Sequence, residues 1–505
     1  MFKSFRFVFL IGIAFTVLAF RASKDKKAFA TSSSLPKLTV FKAPEGAPKN
    51  NTFSVYVRYE GGEWIDLYEY DAEVDDGFLQ APVHHMAFVS FDADFSKKIE
   101  VRVQKNDGNM SNVKIRPAIA GITPKIIDSN TIIFSLIRPG KLSVEVNGDL
   151  HNNLMVFASK PERNTVKKGQ GNVHYFGPGI HKIGGDGKGT LTLKSNDKVY
   201  IAGGAIVYGN IEADGVNNIS ITGRGILCGG MYTNHAYPHV GGGKRLIYIK
   251  NSTNIKIEGI TLLNSVSWNI HLSLCKDVVC KDLKIIGWTI NSDGIDPTSS
   301  SNVLIDDCFI RDFDDCISVK LSYAEAANPQ ARDSRNITVQ NCILWTDQGR
   351  AIAIGPESFS NEKKVYEDLT FKNIDILYNK NYNVGWAKGV LSILLGDEAT
   401  IKNVFFKDIR VDRLGDKTNL VYINILKTPY NLSPGQRVQN IKFENVSLNS
   451  AQNMDNFIGG LNSSRIVSGI EFINLKINNV PITDSVLGRF KINNHTGDIK
   501  FNISN

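Results

Sequence analysis

The sequence predicts an all-β chain, a right-handed parallel β-helix solenoid preceded by a small β-sandwich, and three observations predict it. A loose repeat runs through the last two thirds of the chain, the inner part of each repeat alternates strictly between apolar and polar residues, and no helical period of comparable length intervenes. A chain of 505 residues also exceeds one ordinary compact core, which calls for two domains or one elongated repeat domain with an appendage.

In chain order, the first element is a targeting segment. Lys3 and Arg6 precede an apolar run from Phe7 to Phe20, and Ala28-Phe29-Ala30 offers a small-x-small cleavage site. Residues 1–30 are therefore expected to be a secretory signal peptide and the protein to be secreted or periplasmic. The basic stretch from Arg21 to Lys27 keeps an uncleaved membrane anchor open as the alternative, and the absence of Cys there leaves no attachment point for a lipid.

Residues 31–160 carry short alternating stretches, such as Phe53-Ser54-Val55-Tyr56-Val57 and Lys141-Leu142-Ser143-Val144-Glu145-Val146, separated by Gly, Asn and Asp turns. That is the pattern of a small β-sandwich. His84 and His85 are adjacent, point to opposite faces of one strand, and read as structural.

Residues 161–505 hold the repeat, Asn-[Ile/Val]-x-[apolar]-x-x-[apolar]-x-[apolar]. It starts at Asn218, Asn254, Asp277, Asn302, Asn336, Asp368, Asn403, Asn440, Gly469 and Asp498. Strands that recur without crossover helices or tight hairpins are satisfied by coiling in one sense, each stacked in parallel on the last. Outward side chains of neighbouring coils then form rows along a groove, which suits an extended polymer.

The composition fits a strand-rich globular protein: 21% of residues are charged, and Gly (43) far outnumbers Pro (16). A net charge of +8 over so long a chain is mostly solvated surface, although it would help attract an acidic polymer. Six Cys (Cys228, Cys275, Cys280, Cys308, Cys316 and Cys342) form no CxxC pair and so no metal-ligand spacing. Cys308 and Cys342 occupy matching repeat positions, which favours buried thiols over disulfides; a Cys308 to Cys316 bridge is the alternative.

The densest chemistry lies in Asn291-Ser292-Asp293-Gly294-Ile295-Asp296-Pro297 and, one repeat on, Asp314-Asp315-Cys316-Ile317. Acidic clusters one coil apart become neighbours when coils stack. Crowding raises at least one carboxyl pKa, leaving one group as acid while another stays a base, the split that glycosidic hydrolysis needs. From the pattern alone, solvated turn aspartates or a calcium site remain open.

The run Trp268-Asn269-Ile270-His271, the segment Asn291 to Val303 and Asp314-Asp315-Cys316-Ile317-Ser318-Val319-Lys320 resemble the core signature of glycoside hydrolase family 28, the polygalacturonase family. Gly223-Arg224-Gly225 and Asn264-Ser265 are placed as that family places them, and the resemblance covers about Asn172 to Asp412. It implies Asp314 as the general acid, Asp293 and Asp315 as the groups that hold and activate water, and inversion at the anomeric carbon. Inversion asks for a gap of about 6.5–9.5 Å between acid and base. No metal or organic cofactor is required.

Asn291, Asp296, His271, Lys320, Tyr323 and Arg350 stand as candidate substrate contacts, with His271 also readable as packing. Trp268, Trp288, Trp345, Trp386 and Tyr323 are candidates for stacking on sugar rings. Two departures weaken the family's usual substrate. Arg350, in Gly349-Arg350-Ala351, replaces a catalytic-site histidine, and Leu391-Ser392-Ile393 stands where an Arg-Ile-Lys motif grips the substrate carboxylate.

The expected partner is a polysaccharide or oligosaccharide, an α-linked anionic (pectic or algal) polymer ahead of others, with no nucleic-acid or membrane partner after signal cleavage, and the protein is expected to be a monomer. A sandwich ahead of a β-helix is also similar to the dextranase family, glycoside hydrolase family 49, which keeps neutral α-glucans as the second substrate class. A uronate lyase and a non-catalytic glycan-binding protein are the readings from other classes.

Overall fold

The computed structural model describes residues 37–74, 83–163, 166–183, 189–230, 244–321, 331–359, 362–382 and 385–504. The expected signal peptide and Tyr323 lie outside the described residues. Among them no helix is long and apolar enough to cross a membrane, and residues 36–505 form one compact unit.

Two small sheets come first. Phe53–Tyr59, Ile99–Lys105 and Thr131–Leu136 form the centre of a five-stranded antiparallel sheet. A six-stranded sheet is centred on His84–Ala93, with Leu154–Ser159 as its single parallel neighbour. Alternation explains the pairing: Phe53, Val55 and Val57 are buried while Ser54 and Tyr56 are not, so each strand offers one apolar face to a shared core with Val101, Val103 and Phe134.

From Val173 onward almost all strands pair in parallel, coil upon coil, in a 21-stranded and an 11-stranded sheet. The repeat residues are in register: Ile219, Ile255, Val278, Val303, Ile337, Leu369, Val404, Ile441, Ile470 and Ile499 pair successively along the stack. Phe371, Phe406, Phe443, Phe472 and Phe501 stack face to face at 4.7–5.0 Å in a parallel row, the spacing of neighbouring strands.

The structure also explains the repeat's first residue. Every one of those Asn, Asp or Gly residues has a positive φ, from 52° at Asn336 to 66° at Gly469. The chain bends there in the left-handed region, which Asn, Asp and Gly enter most cheaply. Their side chains then bond between coils, as Asn302 Nδ2 to Asp277 Oδ1 (2.7 Å) and Asn336 Nδ2 to Asn302 Oδ1 (2.8 Å).

Charged side chains join the sandwich to the solenoid. Lys141 reaches Asp282 (2.9 Å) and Asp307 (2.7 Å), and Arg224 pairs with Asp92 (3.0 Å) and Asp282 (3.1 Å). All six Cys are buried and unbridged.

Candidate active site

Parallel stacking brings the acidic segments together. Gly294 N donates to Asp315 O, Cys316 N donates to Arg350 O, and Ile295, Ile317 and Ile352 pair in register. Asp293, Asp315 and Arg350, each two residues before those isoleucines, therefore occupy one row on three successive coils. The approach demands glycine at two points. A Cβ on Gly294 would lie 2.3 Å from Cys316 O, and one on Gly349 would lie 2.3 Å from the Asp314 carbonyl.

Asp293, Asp314 and Asp315 are all buried, and one oxygen of each lies within 4.8 Å of the others. This is tighter than the separation expected for inversion, because two of the three are chain neighbours and the third sits one strand spacing away.

Each carboxyl has its own partners. Asp315 is clamped by Arg350: Nε reaches Oδ1 at 2.7 Å, Nη2 reaches Oδ2 at 2.5 Å, and the Arg350 backbone N donates to Oδ1 at 2.9 Å. Asp293 accepts from Lys320 Nζ at 3.0 Å. Among the described residues Asp314 Oδ2 accepts from neutral donors, the Tyr382 hydroxyl at 2.7 Å and the Asn291 backbone N at 3.1 Å.

Electrostatics follow from this layout. Burial, then the charges of Asp293 and Asp315, push Asp314 well above the usual carboxylate range. Burial also raises Asp293, against the pull of Lys320. Burial opposes the charge of Lys320, but Asp293, Asp296 and Glu357 hold its ammonium well above its ordinary value.

The candidate contacts are placed differently from one another. Asp296 and Lys320 are at most 1% exposed and bonded to each other at 3.3 Å, so they act on a ligand only through Asp293. His271 is buried, stacked on Tyr248 at 4.7 Å and 3.2 Å from the Thr298 hydroxyl, which makes it packing; burial, Arg245 and Lys320 hold it well below its usual pKa. Asn291 is exposed and supports Asp314 through its backbone. Among the tryptophans, Trp268, Trp288 and Trp345 are core, and Trp386 is half-buried beside Arg350 and Tyr430.

Sequence reasoning missed three residues. Tyr382 lies in a loop with no repeat signal. Glu357, 3.6 Å from Lys320, follows a strand end. Asp312, fully buried with its carboxyl pushed well up by burial and by Asp293, was hidden by the more conspicuous pair after it.

Two clefts of about 570 and 560 Å³ also open along the seam with the sandwich, both lined by Lys114, Arg116 and Asp412. They contain no group of three close carboxyls, so the chemistry is assigned to the Asp293 cluster.

Three close carboxyls on a parallel β-helix, one held by neutral donors and two by cations, define a solenoid of the glycoside hydrolase class. The chain belongs to glycosyl hydrolases family 28, whose profile matches residues 187–496. Similar curated proteins include a probable polygalacturonase of Vitis vinifera, 32% identical over 114 residues (22% of this chain, 23% of that one). An exopolygalacturonase of Zea mays is 25% identical over 255 residues (48% of this chain, 57% of that one). Alignments to the first relatives thus span from about a fifth to just over half of their lengths. Dex49A from Penicillium minioluteum has the same fold, with a TM-score of 0.60 and 18% identity over 91% of this chain and 96% of that one.

Proposed function

We propose that this chain hydrolyses glycosidic bonds in a polysaccharide, with Asp314 as general acid and a water held by Asp293 and Asp315 as nucleophile. The observation that carries this reading is the asymmetry of the three carboxyls. Asp314, raised by burial and two neighbouring charges and bonded among the described residues to neutral donors, is suited to keep a proton for the leaving oxygen. Asp315 presents both oxygens to Arg350 as acceptors.

A span of 4.8 Å between carboxyl oxygens accommodates one water bonded to both, since each such bond takes about 2.7 Å. Inversion is proposed from the family resemblance and not from this spacing; NMR of the first-formed anomer tests it. The signal-like residues 1–30 support export, tested by N-terminal sequencing of protein recovered outside the cytoplasm.

The test of the main reading is reducing-end release from pectic, sulfated algal and α-glucan polymers by wild type and Asp314→Asn together. Release by the wild type that vanishes in a folded variant supports it. Binding without release by either protein removes it in favour of a glycan-binding groove.

A further inference from the structure

We propose that the sugar whose bond is cleaved is neutral, the groove being built for an uncharged glycan; this rests on the hydrolase reading above. The family's substrate carboxylate would need a spare cation at the cleavage site, and the cations in contact with the cluster are already engaged.

Lys320 has three N–H donors and three carboxylates around it, Asp293 at 3.0 Å, Asp296 at 3.3 Å and Glu357 at 3.6 Å, and the Trp268 ring lies 3.5 Å from its nitrogen. It is 1% exposed. Arg350 spends one full edge of its guanidinium on Asp315.

Against these two cations stand six carboxyls: Asp293, Asp296, Asp312, Asp314, Asp315 and Glu357. Protonating Asp296, Asp312 and Asp314, the three that burial and neighbouring carboxylates hold well above the ordinary range, still leaves three carboxylates facing two cations. A uronate would add one more negative charge in a low-dielectric site.

The strand residues stacked on the coils beyond Asp315 carry no charge for it to pair with. Along the outward row Ser318 pairs with Ala353, Ala353 with Ser392 and Ser392 with Tyr422, all uncharged. Leu391 and Ile393, at the positions of the family's Arg and Lys, turn into the solenoid core. The donor left over is Arg350 Nη1, buried without a hydrogen-bond partner; with its charge already balanced by Asp315, it suits a sugar hydroxyl or ring oxygen. Lys388, half-buried one coil above Arg350, forms no ion pair among the described residues and is the cation placed to receive a uronate if one binds.

The test uses a matched pair, polygalacturonate and the same polymer after chemical reduction of its carboxyls to neutral galactosyl units, with an α-glucan beside them. Affinity electrophoresis of full-length Asp314→Asn reads binding independently of cleavage, and wild type is assayed for reducing-end release. The expected result is retardation by a neutral polymer at least ~10-fold stronger than by polygalacturonate, since one unpaired like charge at an interface costs that much or more. Stronger binding or faster cleavage of polygalacturonate, lost in Lys388→Ala, overturns the proposal and leaves the hydrolase standing. Neutral binding without release by wild type removes the hydrolase reading, and with it the claim about the cleaved sugar, and leaves only a preference for uncharged glycan. Equal affinity for the pair, or affinity for none of the three polymers, also overturns the proposal.

Discussion

Two buried charge clusters in this protein are near mirror images. At the seam between sandwich and solenoid one carboxylate, Asp282, lies among three cations, Lys141 (2.9 Å), Arg224 (3.1 Å) and Lys284 (3.2 Å). At the candidate site one ammonium, Lys320, lies among three carboxylates. The seam closes its account, because Asp92 and Asp307 supply the two missing negative charges. Although burial opposes it, Lys284, Lys141 and Arg224 hold the Asp282 carboxyl below its ordinary range, while burial brings Lys284 down to about 8.

The site does not close. Burial, then the charges of Asp293 and Asp315, push Asp314 well above the usual carboxylate range, and a proton held there is the reagent of the proposed reaction. A balanced cluster fastens two layers together; an unbalanced one stores chemistry.

That contrast can be broken from either side. The largest effect is expected at Asp314→Asn, which keeps the shape but cannot donate: kcat/KM should fall about 10²- to 10⁴-fold, with the thermal midpoint unchanged by calorimetry. Asp282→Asn should do the opposite. Three buried cations would lose their shared partner, costing about 3–5 kcal/mol in urea unfolding, while turnover per folded molecule stays at the wild-type level.

Arg350→Lys comes next. An ammonium cannot reproduce the fork on Asp315, so the rate should drop about 10- to 100-fold at little cost in binding, from the loss of one or two charge-assisted bonds. Retained turnover would mean that Asp315 is oriented by the backbone alone.

A smaller and more diagnostic change is expected at Tyr382→Phe. The tyrosine hydroxyl donates to Asp314 and favours its ionised form. Removing it should raise the Asp314 pKa further. The reactive protonated form then persists to higher pH, so the alkaline limb of the pH–rate profile should move upward; a downward shift would mean that Asp314 works ionised. Least of all should a reductant matter: with six unbridged thiols, the thermal midpoint should be the same with and without it.

The solenoid was legible in the sequence because its signals are local. A strand that alternates, a bend that needs Asn, Asp or Gly at positive φ, and an apolar residue that must stack on its counterpart one coil below each leave a mark at the same place in every repeat. The carboxyl triad was legible for the same reason. Asp293 and Asp315 stand at the same offset before the paired isoleucines Ile295 and Ile317.

Partnership left no such mark. Lys320 reads as a groove-side cation available to substrate, yet Glu357, 37 residues later, returns to neutralise it beside Asp293 and Asp296. Arg350 reads as a candidate substrate contact, yet the stacking of its coil directly on that of Asp315 commits one edge of its guanidinium to that carboxylate.

The sequence by itself thus determined the coil, its register and the three acidic side chains that share a face, since all of these follow from periodic, short-range requirements. Which carboxyl is pushed furthest from its ordinary range and which cations are already paired were decided only by the tertiary structure. Those properties depend on distances of a few ångströms between groups that lie tens of residues apart.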